Sequence, residues 1–234
     1  MLWTDRTIRE VPMKRALLGL LLLSGGCDVP VSQSPVEPPP AEAIEVVSTP
    51  PRSEAVLALE ALGADFGFED QVAVSLELPV ATTNSDLARL KELTGLKRIV
   101  LPGAQITDGG LVYLRRLEGL THVDLSGSAI TDAGLRSLQK LTGLRVLRLR
   151  NVPIGDVGLG HLKGLVELEK LDLTHTKVTN AGLAHLQDMS GLVELSLAET
   201  AITSAGLVAL ADRGMKLLDL PKAARNDVGL QHYL

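Results

Sequence analysis

From Leu96 to Leu234 one pattern recurs every 24 residues, and it limits the possible folds more than any other feature of the chain. Three adjacent copies read LTHVDLSGSAITDAGLRSLQKLTG from Leu120, LRVLRLRNVPIGDVGLGHLKGLVE from Leu144 and LEKLDLTHTKVTNAGLAHLQDMSG from Leu168. An earlier copy starts at Leu96 and a later one at Leu192. A shortened copy starts at Met215, with Arg225 in the usual Ile/Val place. A more divergent unit, from about Val72 to Gly95, keeps Leu76, Leu78, Leu87, Leu90 and Leu93. Each copy joins two periodicities. The L-x-x-L-x-L opening alternates as a strand with one buried face does, and the GL-x-x-L-x-x-L half recurs at helical spacing. One copy alone cannot bury its leucines, whereas stacked copies form a continuous leucine core.

Three further columns recur with the leucines. Glycine stands at Gly110, Gly134, Gly158, Gly182, Gly206 and Gly229. A helical glycine costs about 0.5–1 kcal/mol relative to alanine, so its recurrence needs a cause. With no G-x-x-x-x-G-K-[ST] in the chain, close packing of each helix start on its neighbour is preferred over phosphate binding. The second column is Asp108, Asp132, Asp156, Asn180, Ser204 and Asp227. Asp, Asn and Ser all cap helices but differ greatly as calcium ligands, so this column, with Thr107 and Thr131 beside it, is read as caps. The third holds His161 and His185, with Tyr113 and His232 in line. Two histidines without a third ligand are read as exposed helix residues rather than a metal site.

The pattern L-x-x-L-x-L-x-x-T/S-x-I-T-D-x-G-L-x-x-L resembles the leucine-rich repeat family, and is closest to its ITDxGL subtype. The residue often Cys in that subtype is Ala104, Ser128, Val152, Thr176, Thr200 and Ala223 here. The resemblance implies an α/β solenoid forming a short arc, with a parallel sheet on the concave face and short helices on the convex face. Seven strands at roughly 4.8 Å spacing would line about 30 Å of that face. Solenoid ends need capping. Ser53 to Gly63 has the Ser start, apolar spacing and Gly stop of a short helix, and with Ala64 to Glu69 it is assigned to an N-terminal cap. The expected organisation is a signal peptide over 1–26, a flexible linker over 27–52, a cap over 53–71 and about seven repeats over 72–234.

Cys27 is the only cysteine, so no intramolecular disulfide or multi-cysteine zinc site can form. Lys14 and Arg15 precede the apolar run Ala16 to Leu23, too short to cross a bilayer and built like a secretory signal, with Met13 an alternative start to Met1. Ser24-Gly25-Gly26-Cys27 resembles the lipobox of bacterial lipoproteins, in which the cysteine is acylated. It departs from that box in having Ser24, not Leu23, three residues before the cysteine. Lipid attachment at Cys27 is preferred over an ordinary cleaved signal that leaves a free thiol. Asp28 to Arg52 holds seven of the chain's twelve prolines and reads as an extended spacer, a Pro-rich docking ligand being the alternative. Cysteine-free repeats behind such a box resemble the repeat lipoproteins of planctomycete-type bacteria.

The formal net charge of −5 and 2% aromatic content provide neither a basic footprint nor stacking platforms for nucleic acid. No G-x-S-x-G, H-E-x-x-H or C-x-x-C nominates an enzyme. The expected chain is therefore not an enzyme, takes no cofactor or small-molecule substrate, and binds a protein partner while tethered to the outside of a membrane. The candidate surface is the strand column Val100, Asp124, Arg148, Asp172, Ser196 and Asp219, beside Pro102, Ser126, Arg150, Thr174, Ala198 and Pro221. Within it the candidate partner-binding residues are His122, Asp124, Arg148, Arg150, Asp172 and His175, the alternative being a self-paired charge ladder. With no aromatic anchors on this face, a modest or multivalent affinity is expected. Three other readings are a glycan- or wall-binding envelope module, a cytosolic adaptor and a hydrolase with an unrecognised site.

Overall fold

A buried apolar residue centred between two outward-facing ones marks each strand of the array. Ile99, Val123, Leu147, Leu171 and Leu195 are inaccessible to solvent or nearly so, while the residues on either side are half-buried or exposed. The structure, a computed structural model, describes residues 52–103, 105–211 and 213–225. The signal, lipid-attachment and linker readings, Cys27 among them, lie outside the described residues. So do Ala104, Asp227, Gly229 and His232.

The strands are β1 (Asp65–Glu69), β2 (Val72–Glu77), β3 (Arg98–Val100), β4 (His122–Asp124), β5 (Val146–Arg148), β6 (Lys170–Asp172), β7 (Glu194–Ser196) and β8 (Leu217–Asp219). They form one sheet in sequence order. From β2 to β8 every pair is parallel, and Arg98, His122, Val146, Lys170 and Glu194 stand in one register row. The molecule is an α/β solenoid, with this sheet on one side and short helical turns returning the chain on the other. No helix among the described residues is long and apolar enough to cross a membrane.

The returning segments are tighter than α-helices. α2 (Asp108–Leu111), α3 (Asp132–Leu135), α4 (Asp156–Gly160) and α5 (Ser204–Leu207) are single turns, and three of them run into 3-10 turns at Val112–Arg116, Arg136–Leu138 and Val208–Leu210. Asp86–Glu92 and Gly182–Leu186 are 3-10 throughout. The cause is the leucine spacing. Leu159, Leu162, Leu165 and Leu168 are three residues apart and all fully buried. On an α-helix each step of three would turn the side chain about 60° off the row, whereas a 3-10 helix has three residues per turn and keeps them aligned. The N–H groups of Leu162, Leu165 and Leu168 accordingly donate to the carbonyls three residues back, at 2.9, 2.9 and 3.1 Å.

The aspartate column does not cap its own helix. Thr107, Thr131 and Thr203 stand at the N-cap positions without a side-chain capping bond. Instead each Asp or Asn reaches the following repeat. Asp108 Oδ1 accepts the Thr131 N–H at 2.7 Å and Oδ2 accepts its hydroxyl at 2.6 Å. Asp156 binds Thr179 in the same way at 2.8 and 2.6 Å, and Asn84 and Asn180 hold Thr107 and Thr203. Asp132 accepts only the Gly155 N–H, at 2.7 Å, because glycine offers no hydroxyl there. The glycine column makes room for these staples: a Cβ on Gly134 would come within 3.0 Å of Asp108 Oδ1 and of Ile130 Cγ2.

Both ends depart from the repeat. At the N-terminal end, α1 (Glu54–Glu60) starts at Ser53, whose hydroxyl accepts the Val56 N–H at 3.4 Å, and it buries Ala55, Val56 and Leu59. The segment after it is an additional strand, so the sheet has eight strands where the repeats alone supply seven. β1 pairs antiparallel with β2 through a two-residue turn, Asp70 and Gln71, with φ of 46° and 68°. Two successive residues with positive φ fit a hairpin turn whose twist matches the strands. Exposed Asp65 and Glu69 place charge on this outer strand, which discourages pairing with another sheet. At the other end Ala224, not Ala223, is the buried small residue, and Arg225 binds the Leu220 carbonyl and the Asp219 carboxylate at 2.7 and 2.8 Å. Arg213 donates to the carbonyls of Leu186, Gln187 and Met189, holding the end of the preceding repeat's 3-10 turn.

Candidate functional site

Strand alternation gives the sheet face two rows of side chains. One is Ser75, Arg98, His122, Val146, Lys170, Glu194 and Leu217; the other is Glu77, Val100, Asp124, Arg148, Asp172, Ser196 and Asp219. The candidate set read from the sequence covers the second row and, from the first, only His122. Arg98, Lys170 and Glu194 were missed, although the same alternation that exposes Asp124 also exposes the residue two before it.

The structure brings part of the predicted set together. His122, Asp124 and Arg148 line one small hollow with Arg98, Val100 and Val146. Arg148 sits opposite Asp124 on one side and Asp172 on the other, and its guanidinium lies 3.5 Å from the Asp124 carboxylate. Both aspartates also accept a backbone N–H two residues on, from Ser126 at 3.0 Å and Thr174 at 2.9 Å, which anchors each carboxylate to its own turn. Arg150 is exposed in the turn after β5. His175 lies apart from the hollow, in the turn after β6. With Asn151 and Glu199 it occupies a left-handed turn position, at φ 58°, 55° and 54°, and these three line a second shallow groove with Lys177. The equivalent positions in earlier repeats are Gly103 and Gly127, both at positive φ.

Part of the face is a self-paired ladder. Lys170 lies 3.0 Å from Glu194, and Arg145 lies 3.4 Å from Glu169. Such exposed pairs contribute about 0–1 kcal/mol each. Arg98 and Arg150 form no ion pair among the described residues, and both are exposed.

His122 is the titratable group with a distinctive setting. The Thr121 hydroxyl donates to the Lys97 carbonyl at 3.0 Å and lies 2.8 Å from His122 Nδ1. With the hydroxyl proton so placed, Nδ1 carries the ring proton and donates to Thr121 Oγ1. Partial burial, then Arg98 and Arg148, and more weakly Arg145, hold the imidazole below its ordinary value of 6.5, against the opposing pull of Glu169. The unfolded chain therefore takes up the proton first as pH falls, so this contribution to stability is present above about 6.5 and lost as pH falls through the native midpoint. Urea midpoints measured at neutral and mildly acidic pH should differ less for His122→Gln than for the native chain. Equal differences would refute that role.

Among the described residues no group of three or more His, Cys, Asp and Glu side chains is arranged to hold a metal ion. His161 Nδ1 lies 3.2 Å from the Gln139 side-chain amide, so this histidine has a neighbouring-repeat partner of its own. What the sheet face presents is a row of charged side chains set in register by the strands.

A stacked array of parallel strands and 3-10 turns around a continuous leucine core defines the class: a repeat solenoid. The leucine-rich repeat family model matches residues 120–138 and 168–186. These are two copies of the unit whose register runs through the sheet, and over them the chain is similar to the leucine-rich repeat family. Among solved structures, the chain is similar to internalin C2 of Listeria monocytogenes, at 22% identity and a TM-score of 0.47, over 57% of this chain and 55% of that one. It is also similar to an internalin, InlF, of the same organism, at 21% identity and a TM-score of 0.44, over 58% and 44%. The chain thus spans about half the length of these structures. A comparison with curated proteins found no match.

Proposed function

We propose that this protein is a binding scaffold, tethered outside a membrane through lipidated Cys27, that engages a protein partner with its sheet face. The observation that carries the binding reading is the in-register display of His122, Asp124, Arg148 and Arg98 on adjacent strands, with two exposed arginines left out of the ion-pair ladder. Faces of this kind on repeat scaffolds commonly serve as binding surfaces. The outward strand residues from Arg98 to Asp219 include no Trp, Tyr or Phe, which disfavours a glycan platform and sets a modest affinity for a protein partner. The tether rests on the sequence: a basic flank, a short apolar run, Ser24-Gly25-Gly26 before the lone cysteine, and a proline-rich spacer.

Crosslinking pulldown should capture one protein with the native chain and lose it with Arg148→Glu/Arg150→Glu. Unchanged capture would sink the sheet-face reading. Cys27→Ser should move the protein from the membrane fraction to the soluble one, and continued membrane association would remove the lipid anchor from the proposal.

A further inference from the structure

The sheet face is electrically uneven, and the unevenness points to the chemistry of the partner. Between β3 and β5 the face and its margins carry Arg98, Arg145, Arg148 and Arg150 with His122 among them, and Asp124 is the one acidic residue on these strands. This basic patch sits on a chain whose formal net charge is −5. Further along, β6 to β8 present Asp172, Glu194 and Asp219 against Lys170. Asp124 and Glu169 answer Arg148 and Arg145, at 3.5 and 3.4 Å, while Arg98 and Arg150 form no ion pair among the described residues, although Arg98 also lines a hollow with Asp65 and Glu77. The register sets Arg98 directly beside His122, with Val146 on its other side, and Arg148 beside Asp124. Neighbouring strands are about 4.8 Å apart. An extended chain laid across β3, β4 and β5 would therefore meet a cationic group within each few residues of its length.

Resting on the reading of this face as a protein-binding surface, we infer that the partner presents an acidic, carboxylate-rich segment that docks across Arg98, His122 and Arg148, with Arg150 at its margin. The guanidinium groups supply paired donors that match carboxylates. The hollow lined by Arg98, His122 and Arg148 is small and also holds Asp124, which already engages Arg148, so an incoming carboxylate meets Arg98 first and shares Arg148 with Asp124. His122 reports on the docking. It faces Arg98 from β3, Arg148 and Arg145 from β5 and its approach, Glu169 from the approach to β6, and Asp124 on its own strand. Since the arginines and burial now disfavour its charged form, an incoming carboxylate reverses the local field and favours it.

The test uses the full chain and three probes: a peptide of glutamates, a length-matched peptide of lysines, and inorganic phosphate. The glutamate peptide should bind and the lysine peptide should not. Binding should weaken by about tenfold or more in Arg98→Glu/Arg148→Glu, and should weaken with added salt. Arg115→Glu/Arg116→Glu, on exposed residues of the helical side, should leave it unchanged. Followed by NMR, the His122 ring should titrate at higher pH with the glutamate peptide bound than without it. No binding of the glutamate peptide, equal binding of the lysine peptide, an equal loss in both double variants, or displacement by phosphate at the same concentration would each overturn the acidic-segment assignment. If the glutamate peptide fails while protein capture still depends on Arg148 and Arg150, the binding face stands and only the partner's chemistry is wrong. If peptide binding depends on Arg98 and Arg148 while capture is indifferent to Arg148 and Arg150, the acidic-segment site stands and the reading of the face as the partner's docking surface falls.

Discussion

Gly134→Val is expected to lower the melting temperature by about 10 °C, measured by circular dichroism on the full chain. A Cβ at this position would come within 3.0 Å of Asp108 Oδ1 and Ile130 Cγ2, so the carboxylate must leave. Its departure breaks the two bonds it accepts from Thr131, at 2.7 and 2.6 Å. Hydrogen bonds to a charged group contribute about 1.5–3 kcal/mol, and forcing extra methyls into a packed site costs a further 1–3 kcal/mol or so. Counting the two bonds to one carboxylate as a single contribution, the sum is about 2.5–6 kcal/mol, which translates to roughly 5–24 °C for a domain of this size. The clash and the staple can be separated. Asp108→Ala removes the staple without overfilling the site, and in that background Gly134→Val should cost distinctly less, because both changes remove the same bonds. An additive double variant, or an unaltered melting point for Gly134→Val, would refute the staple.

Leu147→Ala should cost about 2–5 kcal/mol in urea unfolding, through lost transfer energy and the cavity left behind. Leu147 is fully buried at the centre of β5, and its register partners are Val123 and Leu171. In a solenoid each repeat is supported only by its neighbours, so a cavity in the middle weakens two interfaces at once. Hydrogen exchange should quicken most in β4, β5 and β6, while α1 at the N-terminal end keeps its protection. The control is Leu57→Ala: this leucine is 54% exposed, and its loss should stay within about 0.5 kcal/mol. Comparable losses for the two leucines would contradict the core assignment.

Much of this architecture is legible in the chain. The strand centres, the buried row Ile106, Ile130, Ile154, Val178 and Ile202, and the inward small residues Ser128 and Thr176 all follow from repeating position alone. Their burial is decided by alternation and period, both of which survive in a one-dimensional string. The divergent ends were harder. A short D-F-G-F-E segment is too brief to announce a strand, and it becomes one because β2 offers an unpaired edge beside it. In the shortened last repeat the register steps by 23 residues, Glu194 to Leu217, and the buried small residue moves from Ala223 to Ala224.

The candidate site was legible in its chemistry and less so in its grouping. Asp124, Arg148 and Asp172 are adjacent because their spacing equals the repeat. His175 falls outside their hollow because it sits in the left-handed turn beyond the strand, where the chain has already bent away from the sheet face. Arg98 joins the hollow because both residues flanking each buried strand centre face outward, so two rows and not one border it.

The sequence by itself determined that this chain is a solenoid of 24-residue units, which residues fill its core and which face its sheet. Those properties depend on a local periodicity repeated along the chain. Only the tertiary structure decided what the aspartates do and how tightly the chain returns. A carboxylate beside a helix start has two sets of donors within reach, its own N-terminal amides and the threonine 23 residues on. The stacking distance between repeats, set by the glycines, brings the second set closer. Leucines spaced by three permit a distorted α-helix or a 3-10 turn. The need to point all of them at one core, with an identical neighbour on either side, selects the 3-10 turn.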